Sequence, residues 1–397
     1  MRDPYDVIVV GARCAGSPLA MLLARRGYRV LLLDRGHFPS DTVSSHYVQQ
    51  AATARLERWG LLDAVRASGC PPIYEMDFDI DGIRFRGSAP TDGPREAFSV
   101  RRHVLDAILV EAAVEAGAEL RDRFTVKDVV WEDGRVVGSR GRRSGGRDVS
   151  ERARLVVGAD GLRSTVAKAV SARVYGERPP LTHQYYTYWS GLPQDALGLY
   201  TAPWIGAGVA PTNDGLTIVN IAWSVREFPD VRDDIEGRYL DAMRALPPLA
   251  DRLDGARREE RFSGMPNVPM FFREPASPGW ALAGDAGYHK DPVPAQGITD
   301  AFRDADAIAE TVRRDLEDGD ANAWADFARR RDEVALPFYR WTRSVASLEP
   351  LAEPARRLLE AVASDRTMSD RYAGLFAETV GPDDFFEFVP PERSGIA

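Results

Sequence analysis

Cysteine is almost missing from this sequence: Cys14 and Cys70 are the only two in 397 residues. Two are too few for a disulfide framework or a four-cysteine zinc site. The five histidines are scattered, with no metal-spaced pair. Lysine is scarce as well, since Lys127, Lys168 and Lys290 are the only three among 51 basic residues. No apolar run approaches the roughly 20 residues that cross a bilayer. The chain passes from Met1 through a charged tripeptide into a strand, with no leader segment expected. Acidic residues outnumber basic ones, 60 to 51, for a net charge of −9, which makes nucleic acid a poor partner. A soluble, cytoplasmic, reduced protein without membrane contact is the expectation. Hydrophobic residues at 44% and charged residues at 28% exclude a largely disordered chain. The length suggests about two domains.

What is present starts at once. Tyr5 to Val10 (YDVIVV) is a short β-branched run of the kind that forms a buried parallel strand. Gly11-Ala12-Arg13-Cys14-Ala15-Gly16 follows, then helical spacing from Ser17 to Arg26, a stop at Gly27, and a second apolar strand, Tyr28 to Leu33. A glycine-bearing turn between strand and helix brings backbone N–H groups and the positive helix end together, which suits a pyrophosphate. Asp34 comes 18 residues after Gly16, where a carboxylate can accept both hydrogen bonds of an adenosine ribose. The second glycine usual in such a turn is Arg13 here. An arginine can reach back to phosphates or point to solvent, and the sequence leaves both open.

Further along, Arg102 precedes an amphipathic helix, Val104 to Ala116, and Phe124 to Val126 leads into a hairpin around Val136-Val137. Arg140 to Arg147 lacks interleaved aromatics and reads as a solvated hairpin tip. A strand at Leu155 to Val157 enters Gly158-Ala159-Asp160-Gly161, and another at Trp280 to Ala283 enters Gly284-Asp285-Ala286-Gly287. Pro292, Gln296-Gly297 and a long helix from about Thr299 follow. Residues 173–276 carry clustered aromatics and turn signals, the pattern of an antiparallel sheet. The segment from Ala321 to Ala377 is arginine-rich and helical.

Three strand-end turns, at 11–16, 158–164 and 284–297, resemble in order and spacing the FAD-dependent aromatic monooxygenases of the para-hydroxybenzoate hydroxylase type. The resemblance spans roughly residues 1–330. It implies an α/β fold: a Rossmann-like FAD-binding domain from 1–72, 98–172 and 277–330, an inserted antiparallel-sheet substrate-binding domain from 73–97 and 173–276, and a C-terminal helical segment, 331–397. It also implies FAD contacts at Gly11, Arg13, Cys14, Ala15, Gly16, Asp34, Arg35, Arg102, Val126, Asp160, Asp285, Pro292, Gly297 and Ile298. Departures are Tyr288 for a histidine, Ala295 for a glycine and Ala167 for an arginine.

The implied chemistry is insertion of one oxygen atom, by hydroxylation or epoxidation, through a flavin C4a-hydroperoxide. NADPH or NADH is the expected reductant, with a separate flavin reductase as another route. Halogenases resemble this fold too, but need a lysine near the flavin and a W-x-W-x-I-P segment. No lysine occurs before Lys127, and glycines stand at Gly206 and Gly208 where those tryptophans would fall. The same glycines replace the Y-x-W-x-F-P aromatics of geranylgeranyl reductases, so an FAD-dependent reductase or dehydrogenase of that type is the alternative. A non-catalytic nucleotide-binding protein is a third reading, disfavoured by two separate flavin-edge motifs. Loss of bulk at Gly206–Pro211 predicts a large pocket for a bulky aromatic or polycyclic substrate. Candidate catalytic groups are His46, His289 and Asp291, a histidine titrating near neutrality being able to accept a phenolic proton.

Overall fold

The computed structural model describes residues 3–266 and 268–388. Its first sheet carries five parallel strands in the order Trp280–Leu282, Val149–Gly158, Tyr5–Val10, Val30–Leu33 and Glu119–Arg121. The central strands are continuous apolar runs because both faces are covered. Val7, Val9, Leu32 and Val157 face the helices Gly16–Arg25, Arg102–Glu115 and Gly297–Leu316. Ile8, Val10, Leu31 and Val156 face the hairpin strands Phe124–Glu132 and Arg135–Arg143. The period-2 alternation of a strand thus serves two cores at once.

The second sheet runs Arg257–Arg258, Thr182–Ser190, Thr217–Ser224, Ile205–Pro211, Leu197–Ala202, Met76–Ile80 and Ile83–Gly87. Its pairings are antiparallel except one: Leu197–Ala202 lies parallel to Met76–Ile80. The two strands come from distant stretches of chain, so no hairpin forces them antiparallel. One face packs on Tyr239, Met243 and Leu249. Opposite lie C-terminal residues, Phe338, Trp341, Tyr372 and Phe376.

Those residues belong to the helices Ala323–Val345 and Arg366–Ala377, which Glu353–Ser364 connects. The C-terminal segment is therefore helical through Phe388, and its residues 389–397 lie outside the described part. A three-stranded sheet of Val174–Arg178, Met270–Arg273 and Tyr288–His289 joins the two halves of the molecule. No helix among the described residues is long and apolar enough to cross a membrane.

Candidate active site

The three glycine turns leave the carboxyl ends of neighbouring parallel strands, the edge where open α/β sheets take their ligands. They touch. Gly11, at φ +105°, runs so close to Ala159 that a Cβ would stand 2.3 Å from the Ala159 carbonyl oxygen. Gly284 sits beside Ala15, and a Cβ on Gly16 would overlap the Gly11 carbonyl oxygen at 1.8 Å. These glycines let strand, turn and helix close tightly.

Asp34, buried at the end of the second strand, accepts the Ala12 N–H at 2.7 Å and the Gly36 N–H at 2.7 Å. Each oxygen keeps a lone pair for a further donor. Arg35 is exposed beside it. Val126 lies two residues beyond Phe124, whose N–H bonds the Asp34 carbonyl at 2.8 Å.

Arg13 is turned toward the helix Arg102–Glu115. Its guanidinium meets the carboxylate of Asp106 at 2.5 Å, bonds the Ser40 hydroxyl at 3.1 Å and packs over Phe38. Arg102 bonds the same carboxylate at 2.9 Å, and the Cys14 thiol donates to it at 3.4 Å. Asp106, fully buried, thus organises two cations and a thiol. Burial, opposed in part by Arg102, pushes the Cys14 thiol up to about 12, so it is not a thiolate at neutral pH. Asp106 was not among the residues expected from sequence; its i, i+4 spacing from Arg102 on one helix was the available signal.

Asp160 and Asp285 share a turn position but differ in role. Asp160 spends its oxygens on its own loop, accepting from the Ser164 hydroxyl at 2.5 Å and the Thr165 N–H at 2.6 Å. Asp285 has no hydrogen-bond donor among the described residues; burial raises its pKa, against the nearby charges of His289 and Arg102. Gly297 opens the 20-residue helix Gly297–Leu316, and a Cβ there would meet nothing within 4 Å. Its neighbour Ile298 points into the core instead. An unsatisfied carboxylate, an open helix N-terminus and a glycine crossing on one edge fit a bound dinucleotide.

His46 is fully buried at a positive φ of 62° and bonds the Tyr188 hydroxyl through Nε2. Burial, with Arg102 and Arg101 close by, holds it down to about 3. The expectation of a base titrating near neutrality is corrected here: a histidine kept from water beside two arginines stays neutral. His289 bonds the Pro269 carbonyl through Nδ1 at 3.0 Å. Asp291 is buried and accepts from the Thr182 hydroxyl, the Thr182 N–H and the Val293 N–H at 2.9–3.2 Å. Burial raises it to about 6 despite those donors.

Beside this loop lies a cavity of about 460 Å³. Its sheet wall includes Gly206, Gly208, Ala210, Ile218 and Asn220; Pro292, Val293 and Ala295 line it from the loop. Trp341, Leu348, Tyr372 and Phe376 from the C-terminal helices and their connection line it as well. A Cβ on Gly208 would meet nothing within 4 Å, so the missing bulk there leaves space, whereas a Cβ on Gly206 would come within 3.1 Å of the Leu348 side chain. The contribution of residues 337–386 was not expected from sequence, because their amphipathic helices carry no motif. Among the described residues no group of His, Cys, Asp or Glu is set to hold a metal ion.

A dinucleotide edge opening onto an apolar chamber is the architecture of an FAD-dependent oxidoreductase. The chain belongs to the FAD binding domain family, which it matches over residues 4–336. It is 28% identical over 410 residues to phenazine 1,6-dicarboxylic acid hydroxylase PhzS of Lysobacter antibioticus, covering 92% of this chain and 97% of that one. It is 25% identical over 335 residues to digeranylgeranylglycerophospholipid reductase of Methanocella arvoryzae, covering 82% and 81%. The structure of the flavin-dependent brominase Bmp2 matches with a TM-score of 0.84 at 18% identity, over 97% of this chain and 98% of that one, a likeness of fold.

Proposed function

We propose that this chain is an FAD-dependent monooxygenase that inserts one oxygen atom, by hydroxylation or epoxidation, into a bulky aromatic or polycyclic small molecule. The observation that carries this reading is the 460 Å³ apolar cavity, floored by glycines and ending at Pro292 and Ala295. When bound, FAD supplies the redox chemistry: it takes up a hydride and activates oxygen. The residues of the chain bind, orient and exclude water. The Gly11–Gly16 turn, Asp34, Arg102 steadied by Asp106, and the N-terminus of the Gly297–Leu316 helix would hold the cofactor. Asp285, lacking a donor of its own, would accept a hydrogen bond from one of its hydroxyls. The side chains of Trp341, Tyr372 and Phe376 line the cavity and would exclude water from it. NADPH or NADH would deliver the electrons, directly or through a separate flavin reductase.

Halogenation is disfavoured by the lysines. Lys290 is buried in ion pairs with Asp300 at 3.0 Å and Glu378 at 3.3 Å, Lys127 pairs with Asp148, and none of the three lines the cavity. A second reading, reduction of a double bond in an apolar substrate, is favoured by the same lining together with the reductase similarity. The test is the FAD-loaded protein under argon, with NADPH and then NADH, followed by ¹⁸O₂ and candidate polyaromatic substrates. Bleaching of the flavin bands and one labelled oxygen atom in the product are expected. Reduced product without label establishes the second reading; a colourless protein that takes up no FAD overturns both.

A further inference from the structure

The cavity is not apolar throughout, and one polar group on its wall is tied to a buried carboxylate. Asn220 lines it from the strand Thr217–Ser224, between Ile218 and Ala222. Across the adjoining strand stand Gly206 and Gly208, paired with Ala222 and Asn220. None of these neighbours brings a hydrogen-bonding side chain. Behind Asn220 runs a ladder: its Nδ2 donates to Gln184 Oε1 at 2.7 Å, and Gln184 Nε2 donates to the Thr182 hydroxyl at 3.1 Å and to Asp291 Oδ1 at 3.4 Å.

The direction of every bond in this ladder is set from its far end. An ionised carboxylate only accepts. The Thr182 hydroxyl has one proton, which it gives to Asp291, so toward Gln184 it can only accept. Gln184 must therefore turn its amino group to Thr182 and its carbonyl to Asn220. Asn220 in turn spends its amino group on Gln184, and its carbonyl oxygen is left without a partner among the described residues. An amide that is free to flip reads a donor or an acceptor equally well. This one is held in a single orientation by a group two side chains away.

We infer that Asn220 is the specificity-determining contact of the cavity, and that the substrate is a polycyclic compound carrying a hydrogen-bond donor, a phenolic O–H or a ring N–H, which it gives to Asn220 Oδ1. Gln184 is a positioning residue. The inference rests on the proposed use of this cavity for substrate and narrows the substrate class. A ligand offering only acceptors leaves that carbonyl oxygen unpaired in a desolvated place, the kind of mismatch against which such pockets discriminate strongly.

The test is equilibrium binding to the oxidised, FAD-loaded protein at pH 7.5, followed by tryptophan fluorescence, with 9-phenanthrol and 9-methoxyphenanthrene as probes. Neither reduction nor oxygen is needed, so the result is independent of the reaction catalysed: a preference found alongside failed ¹⁸O incorporation keeps this inference and removes the oxygenase reading. The wild type should bind the phenol about tenfold more tightly than the ether. In Asn220→Leu the ratio should fall below about twofold while the ether binds as before. Gln184→Met, which leaves Asn220 in place but free to flip, should give an intermediate ratio in a protein that still folds and binds FAD, with a melting temperature lowered by the lost buried hydrogen bonds. Equal binding of the two probes by the wild type, or a ratio that survives in both variants, overturns the assignment.

Discussion

At single positions, burial decides which of the expected residues can do chemistry. His46 and Asp291 were both candidates for proton transfer, and both are inside the protein, yet burial moves them in opposite directions. A buried histidine loses its charge more easily, and a buried carboxylic acid keeps its proton longer. For Asp291 the consequence is measurable. Its folded-state pKa is raised to about 6, whereas an unfolded aspartate releases its proton near 3.9. Between about pH 4 and 6 the folded state holds a proton that the unfolded state has lost, so stability falls as pH rises through that window. Asp291→Asn removes this dependence. The melting temperature of the variant relative to wild type should climb from pH 4 to 6 and level off above, by the equivalent of about 2 kcal/mol. A flat difference across that range refutes the assignment.

Gly208 offers a second single-residue test. Its Cβ direction is open, whereas a Cβ on Gly206 would come within 3.1 Å of the Leu348 side chain. Gly208→Trp should therefore fold, with a melting temperature within a few degrees of wild type. The tricyclic probes should lose at least about tenfold in affinity, since the indole takes up much of the free volume. A drop in stability comparable to that of a core overpacking would show that the space is not there.

Among the elements, the helix Arg366–Ala377 is fastened to the loop that precedes the helix Gly297–Leu316. Gln296 donates to the carbonyls of Leu375 at 2.8 Å and Phe376 at 3.2 Å. Just past the helix end, Glu378 meets Lys290 at 3.3 Å and Arg303 at 2.7 Å, while Asp300 pairs with both cations from the other side. All four charges are buried to within 16% side-chain exposure, so each relies on the others. Glu378→Ala leaves two cations against one anion in a dry place, a change that costs about 3–5 kcal/mol. A fall of that order in the unfolding free energy, read from urea denaturation, is expected. Tyr288 belongs to the same assembly: its hydroxyl accepts from Arg303 at 2.6 Å and its ring stacks on Phe272.

For the molecule as a whole, legibility followed sequence distance. The first strand, turn, helix and second strand could be read because the pattern is complete within about 30 residues and each part has its own signal. The open space at Gly208 was legible for a related reason: a missing side chain is visible in the sequence itself. The Thr182–Gln184–Asn220–Asp291 ladder was not, since its members come from two strands and a loop up to 109 residues apart. The side of the cavity formed by residues beyond 336 was hidden differently. Leu348, Tyr372 and Phe376 have the spacing of any packed helix, and nothing local distinguishes a side chain that covers a ligand from one that covers a core.

The similarity to the FAD binding domain family ends at residue 336, and the next residue, Pro337, is already on the cavity wall. Cofactor handling and the far side of the chamber are thus encoded in successive, nearly separate lengths of chain. Substitutions in the second length would reshape the chamber while leaving the glycine turns of the first untouched. Chimaeras joined in the middle of the helix Ala323–Val345 exploit the same division, and the ion pairs of Lys290 and Arg303 with Glu378 are the contacts that any transplanted segment has to restore.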